Sequence, residues 1–301
     1  MHRRDLSLLV ASAAMCTAVV QASGDTVSLG ASADTCIFAP SFDNEYSNGV
    51  GPLLYAGKNS SGNVRRTLLR FDVAASVPAG ATITGATVTL NCNRSALGNN
   101  LLFTMHRVLG TWGEGTSDAG DPGGFGVEAT PGDASWTFRV YRDTPWTTPG
   151  GDFVSSPSTS SVVSTTGSYT FPSTPTLVAD AQGWLDNPGS NGGLILVGDE
   201  TVEEGPAARR FASREYSVAA ERPSMTITYT PPAGCDSIDF NGDGLFPDTL
   251  DIDDFLSVFS GGSCSNDPQC GDLDFNNDTL FPDTLDIDSL LSVFSGGPCL
   301  V

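Results

Sequence analysis

The chain has little with which to do the commoner kinds of chemistry. It holds two histidines in 301 residues and no CxxC, GxSxG or HExxH string, so neither a zinc ligand set nor a hydrolase signature can be read in it. Positive charge is scarce: 14 Lys and Arg stand against 35 Asp and Glu, a formal net charge of −21. With no basic stretch to displace phosphate counterions, nucleic acid is not expected as a partner. Long apolar runs are missing beyond residue 20, so no transmembrane anchor is expected either. Strand and helix patterns do not alternate, which argues against a parallel α/β sheet.

The acids that are present are unevenly spread. Residues 235–299 hold 14 Asp and no Lys, Arg or Glu, whereas residues 24–232 hold 20 acids against 12 Lys and Arg. A tail of that kind repels itself unless cations are present. Residues 1–22 read as an export signal: His2, Arg3 and Arg4 precede a small-to-apolar stretch at 6–20, and Val20-Gln21-Ala22 supplies a cleavage site. Extracellular or cell-surface placement is the expectation. Six cysteines remain beyond the signal, at 36, 92, 235, 264, 270 and 299. Cys235 to Cys264 and Cys270 to Cys299 have the same 29-residue spacing. That symmetry predicts one disulfide within each copy of a repeat, Cys235–Cys264 and Cys270–Cys299, with Cys36–Cys92 as the third.

Residues 24–230 are rich in Gly, Ser, Thr and Pro between short β-favouring segments, expected at 53–56, 67–72, 82–90, 101–108, 136–141, 168–171, 194–197 and 225–229. Residues 86–90 and 224–230 alternate apolar with polar, as strands with one buried face do. One helix is expected at 177–185, and a stiff Pro/Gly linker at 231–234. The predicted class is mostly β, a jelly-roll-like β-sandwich with a small C-terminal α domain. Glu114 and Asp118, just after Trp112, are the candidate catalytic carboxylates, with Glu203 and Glu204 in a later loop. Glycoside hydrolysis needs two such groups about 5–10 Å apart across a sugar bond. His106 is expected to be structural. Trp112 and Trp146 are the candidate glycan-stacking rings, and Trp146, in the loop TPWTTPGG, is expected to be the more exposed. Arg209 and Arg210, followed by Arg214 and Glu215, are expected to form a buried ion network, and Arg66, Arg70 and Asp72 to share one side of their strand.

RRTLLRFDV (65–73), PAGATITGATVTL (78–90), GWLDNPGSNGGLIL (183–196), FASREY (211–216) and RPSMTITY (222–229) together resemble the DNRLRE family, which is related to disaggregatase-type and carbohydrate-binding modules of jelly-roll build. The resemblance covers about residues 25–230. It implies a secreted or cell-surface domain with a binding or structural role, polysaccharide being the partner in some members, and it transfers no catalytic set.

The last part of the chain is written twice. DFNGDGLFPDTLDIDDFLSVFSGGSC (239–264) and DFNNDTLFPDTLDIDSLLSVFSGGPC (274–299) agree at 21 of 26 positions with a period of 35. Oxygen-bearing side chains fall on alternate residues, Asp239, Asn241 and Asp243 in one copy and Asp274, Asn276 and Asp278 in the other. The carbonyls of Leu245 and Leu280 follow at the seventh position. A hard cation takes six to eight oxygens, and this alternation wraps them round one point. The twelfth position holds Leu250 or Leu285, so Asp251 and Asp286, one residue later, are expected to close the shells, helped by Asp248 and Asp283. Two calcium ions are therefore expected. The sixth position is Gly244 in one copy and Thr279 in the other, which predicts a weaker second site or a loop relieved of the left-handed conformation. Ile252, Phe255, Leu256 and Phe259, and likewise Ile287, Leu290, Leu291 and Phe294, are spaced for two short amphipathic helices.

These repeats are similar to a dockerin domain, in the variant that closes on GGxC. The resemblance implies calcium-dependent docking of residues 235–299 onto a cohesin-like module or another surface scaffold. The lengthened loop, the lack of basic helix residues and the paired cysteines depart from the cellulosomal pattern. Three readings of the whole chain stay open: a polysaccharide-binding protein, a polysaccharide-acting hydrolase or lyase, and a structural or adhesive module.

Overall fold

The computed structural model describes residues 25–40, 44–201, 206–230, 234–245, 248–278, 282–297 and 299–300. The expected signal at 1–22, most of the linker at 231–234, Glu203, Glu204, Thr279 and Leu280 lie outside the described residues. The first strands are β1 (Asp25–Gly30), β2 (Ala33–Phe38), β3 (Tyr46–Ser47), β4 (Leu53–Lys58) and β5 (Val64–Arg70). Then come β6 (Thr82–Ser95), β7 (Leu101–Arg107), β8 (Val127–Glu128), β9 (Phe138–Val140) and β10 (Thr144–Pro145). The series ends with β11 (Thr159–Val163), β12 (Gly167–Phe171), β13 (Leu194–Val197), β14 (Arg209–Ala212) and β15 (Ser224–Thr230). Helix α1 (Pro175–Asp186) lies between β12 and β13, while α2 (Thr249–Phe259) and α3 (Thr284–Phe294) follow β15. The fold is thus mostly β with a small helical C-terminal part, as expected.

Among the described residues all the strand pairings are antiparallel. One ladder is centred on β6, which pairs with β15 along Thr82–Thr89, with β12 along Val88–Cys92 and with β14 near its end, and β1 edges β15. The other runs β11-β7-β13-β5-β2, with the short β3 and β8 beyond β2. Strand β4 joins the two, because it pairs with β14 on one side and β5 on the other. Ile83, Ala86, Val88, Leu90 and Cys92 of β6 and Met225 and Ile227 of β15 point into the main core, so the alternation read at 86–90 and 224–230 marks the buried faces. Helix α1 starts where Thr174 accepts the Leu177 N–H and Pro175 takes the first turn. It buries Leu177, Ala181, Trp184 and Leu185.

The second ladder is buried on both faces. Cys36 and Phe38 of β2, Leu69 of β5 and Leu194 and Leu196 of β13 enter the main core. Their neighbours Ala33, Ile37, Leu68 and Ile195 face the other way, onto Val108, Trp112, Ala134 and Trp146. Strand β2 is buried at all six residues, so it shows no alternation to read. Covering that outer face is the work of the segment between β7 and β11.

The disulfide pairing differs from expectation. Cys235 bonds Cys299 and Cys264 bonds Cys270, while Cys36 and Cys92 are buried free thiols. The two repeats lie against each other: Asp236 N–H donates to Phe275 O at 2.8 Å and Gly271 N–H to Phe240 O at 2.8 Å. The start of each copy therefore sits beside the other copy. The bonds keep the repeat symmetry but run between copies, not within them. Cys36 and Cys92 belong to different ladders and do not meet. Cys36 Sγ instead accepts the Tyr55 N–H at 2.8 Å, and burial pushes its thiol up to about 12. Ile238, Phe240, Phe255, Phe275 and Leu290 form the small core that the two copies share. Leu256 and Leu291, which the amphipathic spacing places on the apolar side of their helices, stay 43% and 45% exposed, while Phe240 and Phe275 from the loops fill that core. Among the described residues no helix is long and apolar enough to cross a membrane.

Candidate functional site

Each tail helix opens with the same device. Asp248 caps α2, its carboxylate accepting the Leu250 N–H at 2.8 Å, and Asp251 reaches back to the Asp248 N–H at 3.1 Å. Asp283 and Asp286 repeat this on α3, at 2.7 and 2.9 Å. The second oxygen of Asp251 faces the Asn241 N–H at 3.5 Å and that of Asp286 faces the Asn276 N–H at 3.4 Å, so the helix acid closes back onto its loop. Within the loop, Asp239 accepts from the amides of Asp243 and Gly244, both at 3.0 Å, and Asn241 from that of Asp243 at 3.1 Å. Asp243 accepts from the Leu245 N–H at 2.7 Å. The second copy matches where it is described, with the Asp278 N–H shared between Asp274 at 3.0 Å and Asn276 at 3.2 Å. Gly244 has φ +77°, as the sixth position demands, and Asn277 takes the left-handed place of Gly242 at φ +55°.

Asp251 and Asp286 are fully buried, as are Asn241 and Asn276, and residues 235–299 contain no Lys or Arg to pair with them. Burying a carboxylate without a cation is costly unless donors or a metal compensate it. The donor set is all oxygen, which suits calcium and not zinc. Among the described residues, no three of His, Cys, Asp or Glu are gathered closely enough to hold a metal. The carboxylates are held by amide donors, at the spacing a cation loop uses. The copies also differ at one place that sequence reading passed over. Asp254 takes the Asn241 amide at 3.1 Å and the Ser265 N–H at 2.8 Å, where Ser289 and Asn276 donate instead to Leu300 O at 2.6 and 3.1 Å.

The β domain holds a second acid cluster, assembled from distant segments. Arg214 grips Glu114 with two bonds, 2.7 and 3.0 Å, and contacts Glu215 at 2.9 Å. Glu114 also accepts the Asp34 N–H at 2.8 Å, and Asp34 accepts the Arg214 N–H at 2.8 Å. Glu114 is therefore a clamp between three segments. Asp118 is exposed and caps its own turn through the Gly120 N–H at 2.8 Å. Neither lines the 780 Å³ cavity beside Arg66, Arg139, Trp146 and Asp152. Asp34 is completely buried and, among the described residues, one of its oxygens has no partner. Burial, then the charge of Glu215, raises its carboxyl well above the ordinary range. An acid whose folded value exceeds its unfolded one supports folding fully below the unfolded value, and that support fades as pH rises through the interval between them. Asp34→Asn is accordingly expected to leave stability at pH 2.5 little changed and to raise it at pH 7. Urea unfolding at the two pH values checks this, and a loss at both would refute it.

The candidate glycan rings are not at the surface. Trp112 donates to Gly192 O at 2.8 Å and lies under Arg70, and Trp146 donates to Ser135 O at 2.9 Å; both are buried. Trp146 is covered because its Pro/Gly-rich loop folds onto the outer face of β2 and β13 rather than into solvent. His106 is satisfied by Val154 O and Thr104 Oγ1, each at 2.9 Å, in line with a structural role. Arg66 pairs with Glu200 at 2.8 Å beneath Trp136, on the same side of β5 as Arg70. No protein-family model matches the chain, and no curated protein matches it significantly.

Proposed function

We propose that this is an exported, non-catalytic protein in which a β-sandwich of jelly-roll type engages polysaccharide, and a dockerin-like tail binds two calcium ions and docks on a surface scaffold. One observation carries the calcium part: Asp251 and Asp286 are fully buried at equivalent places in a tail with no basic residue. Asp239, Asn241, Asp243 and Asp251 would hold one ion, and Asp274, Asn276, Asp278 and Asp286 the other, with Asp248 and Asp283 fixing the helix starts. Calcium would supply the positive charge that 14 Asp otherwise lack. The docking part draws support from leucines exposed in matched pairs, Leu250 with Leu285 and Leu256 with Leu291, a repeated apolar surface that the small core does not use. The non-catalytic part draws support from Glu114, whose carboxylate is committed to Arg214.

Isothermal titration of the chelator-treated full chain with calcium tests the reading. Two ions are expected per chain, and Asp251→Asn and Asp286→Asn should each remove one. Absence of any calcium heat, or two ions still bound by both variants, would overturn it.

A further inference from the structure

Four adjacent strands bring three arginines into one row. On β4, Tyr55 and Gly57 share a face, being two residues apart. Gly57 is in register with Arg65 of β5, Tyr55 with Arg210 of β14, and Arg210 in turn with Arg94 of β6. Arg94 and Arg210 are thus like charges directly opposite each other, an arrangement that destabilises a strand pair. Among the described residues nearby carboxylate is sparse. Among the described residues the ion pair of this row is Arg210 with Asp121, at 3.3 Å, and the Asp121 side chain is 73% exposed. Arg65 is buried, yet among the described residues it donates only to the backbone oxygens of Gly124 at 2.6 Å and Asn63 at 3.1 Å. Its guanidinium lies against Phe38 and Phe125, 5.7 and 5.8 Å from the ring centres.

The row opens into a cavity of 290 Å³ lined by Tyr55, Asn59, Arg65, Arg94, Phe125 and Arg210. That is at the small end of ligand pockets, which begin near about 300 Å³. Phe125 is 75% exposed at its edge, the most exposed large apolar side chain among the described residues. A guanidinium row recognises oxyanions, planar carboxylate and tetrahedral sulfate alike, and an uncovered aromatic ring stacks on the apolar face of a ring compound. In a chain of net charge −21, such a row is a local exception and not part of a general positive field.

We infer that this cleft is a binding site for an anionic sugar unit, the carboxylate or sulfate seated on Arg94 and Arg210 and the sugar ring against Phe125. The inference rests on the polysaccharide reading above and names the class of sugar and the residues that select it. The like-charge pair is then held for the ligand at the expense of stability.

Calorimetry or thermophoresis of the full chain with short probes tests this: trigalacturonate for carboxylate, a sulfated maltotriose for sulfate, and maltotriose as the neutral control. At least one anionic probe should bind, and maltotriose at least tenfold more weakly. Arg94→Gln and Arg210→Gln should each weaken the anionic probe tenfold or more. Arg139→Gln, in the other cavity, should not. Because Arg94 is exposed, Arg94→Gln should fold with an equal or higher melting temperature while losing affinity. Maltotriose bound as tightly as the charged probes, with no effect of Arg94→Gln, would overturn the anionic site and leave the polysaccharide reading standing. Binding of none of the three would overturn the inference and count against that reading too. Equal losses for Arg139→Gln would reduce the effect to unspecific charge attraction and overturn the site.

Discussion

Chelating calcium from the full chain is expected to raise amide exchange in Thr249–Phe259 and Thr284–Phe294 by about two orders of magnitude per site, and to leave Leu194–Val197 unchanged. The estimate follows from linkage: an ion held at 100 times its dissociation constant stabilises the folded form by about 2.7 kcal/mol, which is about a hundredfold in an opening equilibrium. The shared core cannot offset that loss easily, since it consists of Ile238, Phe240, Phe255, Phe275 and Leu290 with partly buried neighbours. Electrostatics adds to the effect, because the buried carboxylates of Asp251 and Asp286 would be left to amide donors alone. Disulfides will keep the opened tail compact, so exchange, and not size, is the measurement. Protection unchanged within twofold after chelation would count against calcium as a structural element.

The second large effect concerns the tryptophans. Trp146→Ala is expected to cost about 3–5 kcal/mol of stability, the usual penalty for emptying a buried aromatic site. It would also leave Ser135 O without its indole donor. Trp112→Ala should behave alike, since it removes the bond to Gly192 O and the ring under Arg70. A ring displayed for sugar stacking would cost no more than about 0.5 kcal/mol. Urea midpoints separate the two cases, and a wild-type midpoint in Trp146→Ala would mean the ring is not packed as described.

What could be read in advance follows from where each signal resides. The strand at 224–230 and the helix over 177–185 announce themselves because one face is buried and the other wet, and the period is visible. Strand β2 is not legible, because ADTCIF is buried on both faces and has no period; β14 is hidden by its opening Arg-Arg, whose first member is buried. The tail repeats expose their alternating Asp and Asn residues and their helices directly. Their cysteine pairing stays ambiguous, since within-copy and between-copy bonds satisfy the same period of 35. Trp146 misleads for a related reason. Pro and Gly mark a turn, but they do not say which side of the loop faces a sheet. The arginine row lies furthest from sequence reasoning: residues 65, 94 and 210 come from three remote segments, and only strand register makes them neighbours.

The bond between Cys235 and Cys299 joins residues 64 apart, with their Cα atoms at 5.5 Å. Covalently, the tail is a closed ring hung from the β domain at a single point. One proteolytic cut anywhere inside that ring would release no fragment until a disulfide is reduced. The chain would therefore keep both halves of its tail tethered after a first nick, and gels run with and without reductant would tell the nicked chain from the intact one.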